Sequence, residues 1–325
     1  MFHLSKTPGK DFVILNLTDP QLSIEEWAPD HVRGNILRHT VKTLIDRVHP
    51  DLITCSGDYS YAGQIESYAH FAELMESYGI PWAPVWGNHD NQGGAEEIKR
   101  SAAEFLKSPH CLFEHGDPAL GSGNYVIRIE EDGRPVEGLI MMDSHDTKPF
   151  VDENGKYQWT WACLTPEQIA WYTQTVADLN AAGCPDNMII THIPPYCYRT
   201  AFAQASRAAD PFAVKPEDSA DPALWAPEFA GAFGVKYDPI SSYIMEDGVI
   251  DAVLKAGTTR HILVGHDHTN NYAIPYHGTW LIFSLKTGIG CYANRLLNGG
   301  TVFTVDGTGI KEFHHEFVDI SAFPD

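Results

Sequence analysis

Short apolar runs recur along the first third of the chain and alternate with longer segments whose apolar residues return every three or four positions. Phe12 to Leu17, Leu52 to Ser56 and Trp82 to Trp86 read as buried strands. Between them, Asn35 to Val48 carries Ile36, Leu37, Val41, Leu44, Ile45 and Val48 near helical spacing, and His49-Pro50 ends it. The same spacing predicts helices over Glu66 to Tyr78, Ala95 to Leu106, Thr165 to Asn180 and Val249 to Ala256, with Thr165-Pro166 as a cap and first-turn pair. Further strands are predicted at Tyr125 to Ile129, Leu139 to Met142, Met188 to Thr191, His261 to Val264, Trp280 to Ser284, Thr301 to Val305 and Glu312 to Val318. An order that begins β-α-β-α-β and turns strand-rich predicts a layered α/β fold with mixed sheets.

One stretch has no period. Tyr196 to Tyr243 is rich in Ala, Pro and aromatic residues, and two readings stand side by side for it: an insertion or lid over a site, or a packed surface excursion. No linker, low-complexity tract or repeat divides the chain, so a single domain over residues 1–325 is expected. A hydrophobic content of 43% with 11% aromatics fits a large packed core. The first ten residues lack the apolar run of a signal peptide, and no stretch of about 18 apolar residues occurs, so a soluble, cytoplasmic protein without membrane contact is expected. The six cysteines, at 55, 111, 163, 184, 197 and 291, include no C-x-x-C pair and suggest neither a zinc knuckle nor a disulfide framework. A formal charge of -21 argues against nucleic acid and anionic membranes and leaves small molecules as the expected partners; oligomeric state is not legible.

The chemistry gathers where the apolar runs stop. Asp19-Pro20-Gln21, Gly57-Asp58, Gly87-Asn88-His89-Asp90, His192 and Gly265-His266-Asp267-His268 lie at or just beyond predicted strands, where open α/β sheets place their sites. Each has an ordinary explanation alone, as a turn or a core histidine. The alternating His266 and His268 are harder to dismiss, because residues two apart on a strand point to one side. Within the tetrapeptide, Asn88, His89 and Asp90 can serve as metal ligand, proton donor and orienting carboxylate.

In that order, D-x-[HQ], G-D, G-N-H-[DE], H and G-H-x-H, the chain resembles the calcineurin-like metallophosphoesterase superfamily from Phe12 to about Tyr292. The stretches Ile80 to Asp90, Asn124 to His145 and Gly265 to Tyr272 resemble its purple-acid-phosphatase-like branch, whose members are often labelled inactive. The resemblance implies a four-layer α/β/β/α sandwich, two mixed sheets flanked by helices, with a two-metal centre at the strand ends. Carried over by position, Asp19, Gln21, Asp58 and His268 would hold one metal, and Asp58, Asn88, His192 and His266 the other. Oxygen and imidazole ligands without thiolate suit Mn, Fe or Zn without choosing among them. Gln21 stands where many relatives have histidine. Tyr61, in Gly57-Asp58-Tyr59-Ser60-Tyr61, sits where true purple acid phosphatases carry a tyrosinate ligand, and it could equally line the pocket.

The resulting expectation is a dinuclear metal-dependent hydrolase of a small phosphomonoester or phosphodiester. A metal-bridging hydroxide would attack phosphorus, His89 would protonate the leaving group, and Asp90 would orient His89. Tyr61, Tyr198 and Arg199 are candidate substrate contacts, Arg199 as a phosphate clamp. Asp143, His145 and Asp146 could reach the cleft edge. A metal-binding scaffold of the same fold with weak turnover is the alternative, and a nuclease is disfavoured by the charge.

Overall fold

Alternation along the central strands divides the core into layers. Ile127, Leu139, Met141, Met188, Ile190, Leu263 and Ile282 point to one side of their sheet, while Val126, Ile140, Met142, Ile189, Ile262, Val264, Leu281 and Phe283 point to the other. Side chains two apart on a strand share a face, so a sheet buried on both sides must be apolar at every position. These strands need a partner layer above and below. In a computed structural model, which describes residues 1–324, they have both.

The strands are β1 (Phe2–Lys6), β2 (Phe12–Leu17), β3 (Leu52–Cys55), β4 (Trp82–Pro84), β5 (Tyr125–Glu131), β6 (Arg134–Met141), β7 (Thr147–Val151), β8 (Tyr157–Trp161), β9 (Asn187–Ile190), β10 (Thr259–Val264), β11 (Ala273–Tyr276), β12 (Thr279–Phe283), β13 (Gly299–Asp306) and β14 (Gly309–Phe317). One sheet has seven strands in the order β1-β5-β6-β9-β10-β12-β11, and a second has five in the order β14-β13-β2-β3-β4. Both are mixed: β6, β9, β10 and β12 run parallel, as do β2, β3 and β4; β5–β6, β11–β12, β2–β13 and β13–β14 are antiparallel, and edge strand β1 runs parallel to β5. The helices are α1 (Val32–Val48), α2 (Ile65–Glu76), α3 (Asn88–Asn91), α4 (Gly94–Phe105), α5 (Pro166–Ala181), α6 (Cys197–Ala205) and α7 (Val249–Ala256). α1, α2 and α4 bury Ile36, Leu37, Tyr68, Phe71, Ile98 and Phe105 in the core shared with the smaller sheet. α5, α6 and α7 bury Tyr172, Val176, Tyr198, Phe202 and Val253 against the outer face of the larger one. The four layers are helix, sheet, sheet, helix.

Every strand and helix expected from the sequence is present, with ends displaced by a few residues. Six elements had not been expected. β1 is a half-buried edge strand of alternating character, and β11 is a short strand closing the opposite edge. β7 and β8 form a hairpin of their own. α3 is a single turn hidden in the Gly87-Asn88-His89-Asp90 stretch. α6 opens the aperiodic segment 196–243, which continues through four 3-10 turns that each begin with proline, at Pro211, Pro216, Pro222 and Pro227. Isolated bridges from Phe233 to Ala273 and from Lys236 to Asn270 fasten that segment to the larger sheet. Of its aromatic residues, Tyr198, Phe202 and Trp225 are core, while Phe212 is exposed. Among the described residues no helix is long and apolar enough to cross a membrane, and all six cysteines are free.

Candidate metal centre

The C-terminal ends of parallel strands from both sheets meet at one place. β2 leads to Asp19, β3 to Asp58, β4 to Asn88, β9 to His192 and β10 to His266. Such strand ends are where an open sheet leaves a crevice, and here two sheets share it. The chain bends hard to bring the side chains inward. Of nine non-glycine residues with positive φ among the described residues, four are expected ligands: Asp19 at 55°, Gln21 at 40°, Asp58 at 59° and His266 at 77°. Left-handed backbone costs about 1–3 kcal/mol at a non-glycine residue and persists where surrounding structure enforces it. Two glycines allow the approach. A Cβ on Gly87 would lie 2.1 Å from Asp58 Oδ1, and one on Gly265 would lie 2.1 Å from Thr18 Oγ1 and 2.7 Å from Asp19 Oδ2.

The seven expected ligands, Asp19, Gln21, Asp58, Asn88, His192, His266 and His268, are all buried. Ligand atoms of Asp19, Asp58 and His192 lie within 4.8 Å of one another. His192 Nε2 is 3.3 Å from Asp58 Oδ2, 3.8 Å from Asp19 Oδ1 and 3.1 Å from Asn88 Oδ1. His268 Nε2 is 3.3 Å from Asp19 Oδ1. Main-chain carbonyls set both rings: His192 Nδ1–H donates to Ser56 O at 2.7 Å, and His268 Nδ1–H donates to Tyr292 O at 2.8 Å. That leaves each Nε2 facing the carboxylates, the way a protein orients imidazole toward a metal.

Three buried atoms in this cluster have no hydrogen-bond partner: Asp19 Oδ1, Gln21 Oε1 and His266 Nε2. A buried polar group without a partner costs about 1–3 kcal/mol, so three among these candidate ligands mark a place built for something else. The electrostatics agree. Burial opposes charge on His192, yet Asp58 and Asp19 overcome it and push the imidazole up to about 10. Burial would likewise raise the carboxyls, but His192 holds Asp58 and Asp19 below their ordinary range, with His268 and Lys286 adding to the effect on Asp19. Burial and the charge on His192 pull His266 down to about 3, which keeps its ring neutral and its lone pair available. The pocket demands positive charge and offers oxygen and imidazole donors, a fit for divalent metal ions.

His89 lines the same pocket, a cavity of about 120 Å³ shared with Gln21, Asp58, Asn88, Trp161, Ser241, His266, Asp267, His268, Cys291 and Tyr292. Its main-chain N–H donates to Asp58 Oδ1 at 2.9 Å, which ties the residue to the ligand cluster, and its Nδ1 lies 3.3 Å from Gln92 Oε1.

Asp90 does not hold His89, contrary to expectation. Its Oδ2 accepts N–H bonds from Asp58 and Gly87, both at 2.7 Å, and its Oδ1 accepts from Tyr59 N at 3.1 Å and the Tyr68 hydroxyl at 2.8 Å. Every contact is at right angles in role to the one anticipated: Asp90 caps α3 and staples the β3 loop to the β4 loop. Burial and the charge on Asp58 push it up to about 7, against the pull of the Gly87 and Tyr68 donors. The carboxyls that His89 does pull down are Asp58 and Asp146, in each case against the upward push of burial.

Of the three expected substrate contacts, Tyr198 is excluded. It is fully buried, and its hydroxyl donates to Ile262 O at 2.7 Å in the core of the larger sheet. Arg199 turns its guanidinium to its own segment, with Nε donating to Ser242 Oγ at 2.6 Å and a second nitrogen to Ser242 O at 3.3 Å, and is not among the residues lining the metal pocket. Tyr61 stands on the rim, 48% exposed, its ring 5.8 Å from that of His89 rather than among the ligands. Asp143 joins loops instead of facing the pocket, accepting from Asn91 Nδ2 and from the N–H groups of Ser122 and His145.

Several residues at the site gave no signal in the sequence. Lys286 is buried and donates from Nζ to Asp19 O at 2.5 Å; burial pulls its ammonium down to about 8 against the attraction of Asp19. Tyr292 stacks on His268 with ring centroids 4.1 Å apart, and Trp161 meets His266 edge-on at 4.4 Å. Ser241 is the one residue of segment 196–243 among those lining the pocket.

Comparison with known proteins places this geometry. The calcineurin-like phosphoesterase family model matches residues 12–270. The chain is 25% identical over 280 residues to probable inactive purple acid phosphatase 28 of Arabidopsis thaliana, covering 78% of this chain and 62% of that protein. It is 32% identical over 95 residues to the 3',5'-cyclic adenosine monophosphate phosphodiesterase CpdA of Pseudomonas aeruginosa, 27% of this chain and 34% of the relative. The chain thus spans less than two thirds of the length of these relatives. Among solved structures, a dimetal phosphatase from Danio rerio aligns with a TM-score of 0.49 at 12% identity, over 94% of this chain and 98% of the other.

Proposed function

The chain belongs to the calcineurin-like phosphoesterase family, and from its site we propose that it is a dinuclear metal-dependent hydrolase of small phosphoric esters. The observation that carries the proposal is that Asp19 Oδ1, Gln21 Oε1 and His266 Nε2 are buried without partners, beside imidazoles already turned toward the carboxylates. Asp19, Gln21, Asp58 and His268 would hold one ion and Asp58, Asn88, His192 and His266 the other, with Asp58 between them. When bound, such ions supply an activated water and neutralise the charge of the phosphoryl group.

The remaining work falls to the chain itself. His89, anchored through its N–H to Asp58, donates a proton to the departing ester oxygen. Asp90 keeps the loops bearing Asp58 and His89 in one arrangement through its four accepted hydrogen bonds, a positioning role. Lys286 adds a buried positive charge beside Asp19, which helps an anionic ester approach in spite of the acidic chain. Trp161 and Tyr292 pack against the ligand rings and limit water in the pocket.

A second reading has one specific observation behind it: a relative that covers most of this chain bears the name inactive. Under that reading the site binds metal without turnover. Hydrolysis of p-nitrophenyl phosphate and bis-p-nitrophenyl phosphate by metal-loaded protein separates the two. Turnover that Asp58→Asn abolishes supports the hydrolase, whereas fully metallated protein inert on a broad phosphoester panel supports the scaffold.

A further inference from the structure

The β7–β8 hairpin is amphipathic in the wrong sense. Its register pairs Thr147 with Trp161, Pro149 with Trp159 and Val151 with Tyr157, and pairs Lys148 with Thr160 and Phe150 with Gln158. Residues opposite each other on a hairpin share a face, so the first set forms one side and the second set the other. The mixed, more polar side is the one half-buried against the molecule, where Lys148 Nζ sits 4.3 Å from the centre of the Tyr243 ring and 3.5 Å from Cys163 Sγ. The apolar side faces water. Trp159 is 66% exposed, Val151 63% and Tyr157 62%, far above what large apolar side chains on a sheet face ordinarily show.

That exposed row leads into the metal pocket. Trp161, at its inner end, lines the pocket and meets the His266 ring at 4.4 Å, while Tyr157 and Trp159 follow outward with ring centroids 6.3 Å apart. The three rings span about 14 Å at strand spacing. Thr147, opposite Trp161, lines a neighbouring cavity of about 730 Å³ together with Asn91 and Asp146. The hairpin root therefore stands between the metal pocket and this larger hollow. No charged side chain lies on the aromatic face, so nothing there would meet a second phosphate.

Resting on the hydrolase reading above, we infer that Tyr157, Trp159 and Trp161 form a stacking platform for the organic part of the substrate, which selects phosphoesters that carry a planar ring. Rings are flat, polarisable and tolerant of many partners, which suits a ladder of exposed aromatics. A chain alternating against the usual amphipathic sense keeps such a face only where something covers it, and continuity with the pocket makes the ester the occupant.

The test compares adenosine monophosphate with glycerol phosphate, which share the phosphate and differ in the ring. Trp159→Ala and Tyr157→Ala are both surface changes outside the metal cluster. The expected result is a KM for adenosine monophosphate raised about five- to tenfold in each variant, with glycerol phosphate kinetics unchanged. Equilibrium dialysis of adenosine monophosphate against metal-loaded protein supplies a readout independent of turnover, with the same loss of affinity expected. Lost binding in the variants with no turnover of either ester by the parent would keep the platform and refute the hydrolase reading. Turnover of both esters, with binding and KM untouched by the substitutions, would overturn the platform and leave the hydrolase intact. A dimer in light scattering that Trp159→Ala dissolves without affecting adenosine monophosphate would also overturn it, because the face would then belong to a second copy.

Discussion

Asp90 and His89 are neighbours in sequence that do different work. The carboxylate's oxygens are taken up by four donors, two on each, so an asparagine there must turn its NH₂ toward two of them, at least one a main-chain N–H. Such an unpaired buried donor costs about 1–3 kcal/mol. Asp90→Asn is expected to lower stability by that amount in chemical denaturation and to slow activated aryl and poor alkyl esters by the same factor. His89→Ala should instead slow alkyl esters far more than aryl esters, since general-acid help matters most for basic leaving groups, with a contribution of about 10²–10⁴. Kinetics over a leaving-group series reads both. Equal losses for His89→Ala would remove it as the acid, and a selective alkyl loss in Asp90→Asn would restore Asp90 as its support. The seven candidate ligands could be singled out because their types and order are distinctive, and all seven are buried. The roles of Asp90, Tyr198 and Arg199 were not, because they depend on which atoms the fold brings near, and Tyr198 is separated by 64 positions from the Ile262 carbonyl that claims its hydroxyl.

Among the elements, the loops after β3 and β4 carry the site, and their close contact is a steric fact. A Cβ on Gly87 would lie 2.6 Å from Asp58 N as well as 2.1 Å from its Oδ1. Gly87→Ala is expected to displace Asp58 and weaken metal binding at least tenfold in a calorimetric titration, with the far-ultraviolet dichroism of the folded protein retained. Metal affinity equal to the parent's would show that the loops can part without consequence. Most strands could be read because burial on both faces makes them continuous apolar runs. α3 could not, since one turn carries no period, and the β7–β8 hairpin could not, since its apolar residues face solvent and its turn breaks the run. The 196–243 segment hid α6 for a related reason: the proline-started turns that follow it dissolve any periodicity.

At the scale of the whole molecule, two sheets must pack face to face, and one buried carboxyl tests that interface. Glu137 of β6 is fully buried, accepts from Ile310 N of β14 at 3.1 Å, and leaves its Oε1 without a partner. Burial, with Asp186 adding to it, pushes the carboxyl well above its ordinary value. A folded-state value above the unfolded one means the folded form holds the proton more tightly. The stability this contributes is complete below about pH 4.5 and is lost as pH rises toward the folded value. Glu137→Gln is therefore expected to gain stability relative to the parent as pH increases, read as diverging denaturant midpoints; parallel midpoints would mean that Glu137 is ionised in the fold. Alternation implied a layered α/β fold with mixed sheets and the family resemblance implied its four layers, whereas the sharing of one crevice by two sheets is visible only when β2, β3 and β4 face β9 and β10. What that crevice does is decided most directly by counting metal ions per chain while following phosphoester turnover during a metal titration. The expected result is about two ions per chain at saturation, with hydrolysis requiring both. Two bound ions and no hydrolysis across the panel would contradict it.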